Sequence, residues 1–273
     1  MVKAGFYGKN KVQRFKCRQC GKRFAEPQER PLDSRLPKEK VLLILHCLLE
    51  GNSIRSTARI ADVEKRTVMN LMLSAGENCE KLLESRIRNV KVKDVQADEI
   101  WTFVGKKEGH KNPEEAHAEE IGDAYTFIAL ERHTKLILAW HLGKRTRIST
   151  EDFIAKLRTA TADCRFQMST DAFAPYVNAI DAGLSNSVDY SQVVKVYATA
   201  EDGREARYSP GEVTQVVKTP ILGAPDMARS CTAHVERQNG SLRQWCKRLT
   251  RLTYAFSKKW ENLQSALALH FAF

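Results

Sequence analysis

VQADEIWTFVG, residues 95–105, places two adjacent carboxylates inside a run of strand-forming apolar residues. Asp and Glu are depleted in strands because they fit a half-buried pleated surface poorly. The run is therefore either a solvated edge or a strand in which Asp98 or Glu99 has chemical work. Successive strand residues project to opposite faces, so only one of the two is expected to face a given site. The period of two continues outward: strands are predicted at 92–104, 124–131 and 136–142, with the charged stretch GKKEGHKNPEEAHAEE (105–120) as the loop between the first two. A helix is predicted over 150–161, a short strand over 165–168, and a helical pattern from near Asp171.

Three consecutive strands, a helix, a fourth strand and another helix give the order of a ribonuclease H-like α/β domain, a mixed sheet flanked by helices. In such a sheet the first and fourth strands are neighbours, so Asp98 and Asp171 can meet across them. Asp171, in FQMSTDAFAPY, stands after an apolar strand and before a helix. It reads either as an N-cap or as an acid at the carboxyl end of a strand, where open α/β sheets place their sites. Glu236 heads the helical stretch HVERQNGSLRQWCKRLTRLTYAFSKK (234–259), with Asn239, Gly240 and Arg243 on the same face. From Arg237 to Lys259 that stretch carries seven Lys or Arg and no acid: Arg237, Arg243, Lys247, Arg248, Arg251, Lys258 and Lys259. Glu236 either complements the helix dipole or joins Asp98 and Asp171 as a third hard oxygen ligand for Mg²⁺ or Mn²⁺. Two such ions about 4 Å apart can clamp the attacking and leaving oxygens of a phosphodiester. Basic groups beside an acidic metal site suit a bound phosphate backbone.

The whole 273-residue chain has 44 Lys plus Arg against 33 Asp plus Glu, a formal charge of +11, which points to an anionic partner such as nucleic acid. A membrane is the poorer partner. The longest apolar run, VLLILHCLL (41–49), is nine residues and contains His46, against about 20 needed to span a bilayer. Seven cysteines at scattered positions fit a reduced, cytoplasmic protein. No Gly-rich phosphate loop and no Gly-x-Ser-x-Gly elbow is present.

Towards the N-terminus, residues 1–30 carry nine Lys or Arg against Glu26 and Glu29. Within them FKCRQCGKRF (15–24) has the Cys-x-x-Cys-Gly form of a zinc knuckle, in which Cys17 and Cys20 supply half of a tetrahedral set. The same pair reads equally as two free thiols in a basic arm. A helix is predicted from Pro37 to Gly51 with Val41, Leu42, Leu45, Leu48 and Leu49 on one stripe. A shorter helix at 54–60, a turn at 61–63 and a second helix from Glu64 to about Ala75 then have the layout of a helix-turn-helix. Lys65, Arg66, Thr67 and Asn70 are its candidates for base contact; a three-helix packing module has the same spacing. A polar helix or linker follows at 77–89. Gly and Pro punctuate 199–230, which holds one predicted strand, VTQVVK. A last helix is predicted after a cap at Ser257.

DEIWTFVGKK (98–107), STDAFAPY (169–176) and HVERQNGSLRQWCKRLTRLTYAFSKKWENLQSALALHFAF (234–273) together resemble the three acidic blocks of bacterial insertion-element transposases of the insertion-sequence-one family, a group of DDE recombinases. YGKN (7–10) and QRFKCRQCGKRF (13–24) resemble the second half of that family's zinc ribbon. The resemblance implies a metal-binding triad of Asp98, Asp171 and Glu236, and cutting of element ends to leave a 3′-hydroxyl that attacks target DNA. It also implies double-stranded DNA held by Arg243 and the basic residues around it, and a homo-oligomer working at the bacterial nucleoid. The organisation so expected is a basic arm with a partial zinc knuckle (1–30), a helix-turn-helix module (36–80), and a catalytic domain (90–273) with an irregular segment near 199–230. The family's earlier Cys-x-x-Cys pair and its continuation beyond the final apolar helix are absent, so truncation at both ends is the expectation. The rival expectations are a catalytically idle DNA-binding remnant or regulator, and a ribonuclease H-type nuclease without strand transfer.

Overall fold

The computed structural model describes residues 1–7, 11–25, 31–198, 212–251 and 253–273. Most of YGKN and the first part of the segment expected to be irregular (199–211) lie outside the described residues. The chain forms two compact units, residues 1–43 and 44–273. Among the described residues no helix is long and apolar enough to cross a membrane.

The first unit is built on three antiparallel strands, β1 (Val2–Tyr7), β2 (Val12–Lys16) and β3 (Arg23–Ala25). The Phe15 and Phe24 rings stack at 5.8 Å across the β2–β3 pair. Between these strands the chain turns through CRQCGK: Cys17 N donates to Lys22 O (2.9 Å), and Gly21 N to Cys17 O (3.1 Å). Gly21 sits at φ +69°, a left-handed conformation that a side chain would strain. Backbone amides of Cys20 and Gln19 aimed at the Cys17 thiol lower its pKa. Among the described residues no third potential ligand joins Cys17 and Cys20, so the donors present are half of a structural zinc set.

Helix α1 (Lys38–Leu49) buries Val41, Ile44 and Leu49, while Leu42 is exposed. The buried stripe therefore runs through Ile44 and not Leu42, as a step of three from Val41 requires.

In the second unit α2 (Ile54–Ile60) begins at Ser53, whose Oγ accepts from Ser56 N at 3.1 Å. A tight turn containing Asp62 at φ +48° leads into α3 (Lys65–Arg86). Thr57, Ala58, Val68, Leu71 and Met72 are buried along this pair of helices. Helix α3 does not stop near Ala75 as expected but continues unbroken for 22 residues. Gly76, which reads as a helix weakener, is where α3 meets the last helix, α7 (Trp260–Ala272), at Ser265. Lys259 occupies the N-cap of α7. Ser257, the expected cap, instead accepts from Arg248 Nη1 at 2.9 Å, and its carbonyl accepts from Gly105 N at 2.8 Å.

The body of this unit, among the described residues, is a six-stranded sheet in the order β6-β5-β4-β7-β8-β9. Its strands are β4 (Asp94–Val104), β5 (Gly122–Glu131), β6 (Ile137–Gly143), β7 (Phe166–Thr170), β8 (Val188–Tyr197) and β9 (Val213–Leu222). The first three form an antiparallel meander; β7 is parallel to both β4 and β8, and β9 returns antiparallel on β8. Strand β8 has no counterpart among the predicted strands. On one face Val95, Ala97, Phe127 and Ala129 pack with Phe153, Ile154 and Leu157 of α4 (Arg147–Ala160) and with Tyr176 and Ile180 of α5 (Pro175–Leu184). On the other, Ile100, Val104, Ile128 and Leu130 pack with Val235 and Leu242 of α6 (Ala233–Trp245) and with Leu263 and Leu267 of α7. A mixed sheet with this order and helices on both faces fits a ribonuclease H-like α/β fold.

A Cβ at Gly76 would lie 2.5 Å from the Cα and O of Ser265, backbone atoms that cannot step aside. Gly76→Ala is expected to cost about 1–3 kcal/mol as an overpacked contact, measured as a lower urea midpoint with an unchanged slope. An unaltered midpoint would show that α3 and α7 do not meet there.

Candidate active site

Strand β4 pairs with β5 over its whole length but with β7 only at Asp94, Val95 and Gln96, opposite Gln167, Met168 and Ser169. Two residues further along this parallel register Asp98 stands level with Asp171, which follows the last residue of β7. Asp171 does not cap α5, whose N-cap is Ala174. Its Oδ1 accepts from Phe173 N at 3.0 Å, a local turn that fixes the carboxylate at the strand end.

Pleating sends Asp98 towards α6 and Glu99 towards α4 and α5. Asp98 Oδ2 accepts from Asn239 Nδ2 of α6 (2.9 Å) and Oδ1 accepts from Glu99 N (2.8 Å). Glu99 Oε2 accepts from Arg145 Nε at 3.2 Å, and Arg145 Nη2 also lies 3.5 Å from Asp171 Oδ2. The guanidinium rests 4.1 Å from the centre of the Phe173 ring. Both faces nonetheless drain to one place, because Asp98, Glu99, Asp171, Asn239, Arg145 and Glu236 all line a single open pocket of about 680 Å³. The expectation that only one of Asp98 and Glu99 faces a given site is thus corrected. At the point where β7 has ended, two side chains on opposite faces can both reach round the free strand edge.

Among the described residues Asp98, Glu99 and Asp171 each offer a carboxylate oxygen, all within 4.8 Å of one another. Burial first, then mutual repulsion among the acids, raises the Asp98 carboxyl to about 6 and that of Glu99 to about 7. Burial likewise holds the Tyr176 phenol well above its ordinary value. That hydroxyl lies beside Glu99 but outside hydrogen-bonding geometry, so Tyr176 Oη and Glu99 Oε1 are both buried without a partner, as is Asn239 Oδ1.

Glu236 is not in the 4.8 Å cluster. Its Oε1 accepts from Thr232 Oγ1 at 2.6 Å and its Oε2 is paired with Lys195 of β8. It is positioned by Gln96, a fully buried β4 residue whose Oε1 accepts from His234 N (3.0 Å) and Val235 N (3.2 Å), the second and third amides of α6. Gln96, Arg145 and Lys195 were not singled out from the sequence, and Glu99 was raised there only as the alternative to Asp98. Gln96 could have been found, since a buried amide two residues before an acid on the same strand face needs polar partners of its own.

Of the basic candidates, Arg243 and Arg251 line the pocket, and Arg237 and Lys247 are exposed outside it. Arg248 is taken up in packing, donating to Ser257 and lying 3.5 Å from Met72 Sδ. Lys65, Arg66 and Asn70 are exposed on the first turns of α3 and Thr67 is half-buried.

No protein-family model and no curated protein matches the sequence. Among solved structures the chain is similar to a piggyBac transposase in a synaptic complex with hairpin DNA (10% identity, TM-score 0.44, 90% of this chain and 66% of that one). It is also similar to the Mos1 transposase in a paired-end complex with the left transposon end (13% identity, TM-score 0.24) and in a strand transfer complex (14%, 0.25), each over 60% of both chains. The chain thus spans about two thirds or less of the length of these proteins.

A folded-state pKa above the unfolded value means that the folded state holds its proton more tightly. The contribution of Asp98 and Glu99 to stability is therefore full below about pH 4 and is lost as the pH rises through 6 to 7. In chelator, Glu99→Gln is expected to raise the melting temperature at pH 8, by a gain of the order of 3 kcal/mol, and to change it little at pH 4. Equal effects at the two pH values would show that the buried charge is not the cause.

Proposed function

We propose that the chain is a DDE-type transposase, of the kind represented by the insertion-sequence-one family, that cuts the ends of a DNA element and joins them to target DNA. The observation that carries this reading is the β4–β7 register, which sets Asp98, inside β4, level with Asp171, just past the end of β7, in a pocket that Glu236 of α6 also lines. Fold alone would not license it.

The donor set is all hard oxygen, and two buried oxygens of residues that line the pocket, Glu99 Oε1 and Asn239 Oδ1, lack partners, which fits Mg²⁺ or Mn²⁺ held by Asp98, Asp171 and Glu236. Such a cation would supply Lewis acidity to the attacking and leaving oxygens of a phosphodiester. The chain's own part is to hold the DNA. Arg145, Lys195, Arg243 and Arg251 ring the acids and can take backbone phosphates. Asn239, by donating to Asp98, keeps one carboxylate oxygen turned towards α6. The exposed Lys65, Arg66 and Asn70, with Thr67, would read element ends in the manner of a helix-turn-helix. Two ends must be brought together for joining, so the working form is a homo-oligomer on double-stranded DNA.

A second reading, a DNA-binding remnant that does not cut, is favoured by one observation: Glu236 is engaged by Lys195 and Thr232, outside the cluster of the other acids.

Labelled element-end DNA with Mg²⁺ or Mn²⁺ decides between them. Asp98→Asn and Glu236→Gln are each expected to lower cleavage and joining at least about a hundredfold, the loss of several kcal/mol of transition-state stabilisation. Binding should persist and weaken steeply with salt. Salt-sensitive binding by a wild-type chain that never cuts would establish the second reading.

A further inference from the structure

The acids of the pocket are not equally satisfied. Asp98 has a donor on each oxygen, Glu99 N and Asn239 Nδ2. Asp171 has Phe173 N on one oxygen and Arg145 on the other. Glu236 has Thr232 and Lys195, and its side chain is 40% exposed. Glu99 is the exception: its side chain is 3% exposed, Arg145 takes Oε2, and Oε1 makes no hydrogen bond, the Tyr176 hydroxyl beside it standing outside bonding geometry. Asn239, 4% exposed, likewise lines the pocket with Oδ1 unpartnered. A buried acceptor left without a hydrogen bond is costly, and both of these oxygens belong to residues that line the pocket of the clustered acids. Among the described residues Arg145 alone is ion-paired with the cluster, and it is so from one side, through Glu99 and Asp171.

We propose that Glu99 is a further direct ligand of the divalent cation, beside Asp98 and Asp171, and that Arg145 competes with the cation for the same carboxylates. The inference rests on the reading of this pocket as a divalent-cation site and adds to it a fourth acid. The Phe173 ring offers the Arg145 guanidinium a cation–π seat on the pocket wall that does not depend on either carboxylate.

The test is Mn²⁺ binding to the chelator-stripped full chain, with free Mn²⁺ read by electron paramagnetic resonance, so that no DNA and no turnover are needed. Circular dichroism and melting without metal confirm that each variant is folded. Glu99→Gln is expected to weaken Mn²⁺ at least about tenfold, as Asp98→Asn does. Glu99→Asp keeps the charge that pairs with Arg145 but draws the oxygen back by one methylene, and it is expected to weaken binding too. Arg145→Gln is expected to tighten binding, since it removes the competitor. Wild-type affinity in both Glu99 variants alongside a weakened Asp98→Asn would overturn the inference and leave the cation site standing. So would a loss in Arg145→Gln equal to that in Glu99→Gln, because Glu99 would then act only by holding Arg145. Absence of Mn²⁺ uptake by the wild-type chain would remove the cation site and the inference together.

Discussion

Strand β4 is bonded to β5 from Val95 opposite Glu131 to Val104 opposite Gly122, whereas its ladder to β7 runs only from Asp94 to Gln96. The difference in length leaves the β7-side edge of β4 without a strand from Ala97 onward. Within a continuous sheet the side chains of Asp98 and Glu99 would be separated by the backbone plane. At an open edge they come within reach of each other and of the acid that ends β7. Bringing charges this close without water is unfavourable, and burial is the first cause of the raised Asp98 and Glu99 carboxyls. The cost is borne by the packing on either side: Tyr176, Phe153 and Ile180 under one face, Val235 and Leu242 under the other. The concentration of repelling groups in one rigid place marks a site more specifically than the fold around it.

Gln96 extends the influence of the same strand to the opposite layer. Its side-chain oxygen takes the second and third amides of α6, as an N-cap residue would, although it comes from a strand more than a hundred residues earlier. Gln96, Asp98 and Glu99 of β4 therefore locate the first turn of α6, the Asn239 contact and the acid pair.

Much of this was legible in the sequence. Period-two patterning located β4, β5, β6 and β7, and the isolated acids Asp98 and Asp171 stood out because carboxylates are rare in such company. What stayed hidden has physical reasons. Strand β8 (VDYSQVVKVY) follows α5 after only a short 3-10 turn, SNS, and its alternation is masked by the polar residues Asp189, Ser191 and Gln192. Helix α3 was expected to end near Ala75, with the polar stretch beyond it left as a separate helix or linker, because the apolar stripe thins there; the contact of Gly76 with Ser265 of α7 is not visible in the sequence. Glu99 was assigned to the far face because alternation is a rule for a paired strand, and the early end of β7 cannot be read from β4 alone. Lys195 was invisible as a partner of Glu236 because β8 was not foreseen.

The unbroken course of α3 has a mechanical meaning. At 22 residues it is about 33 Å long, with exposed polar residues at its beginning and, halfway along, a glycine whose surface is pressed against the backbone of α7. Helix α7 is itself anchored in the core that underlies the acidic pocket. The rod has no hinge between its exposed tip and its seat. Whatever the tip grips is thus presented at a set angle and distance, and the length of one helix, fixed by the number of its residues, becomes a gauge for how far from that grip the pocket can act.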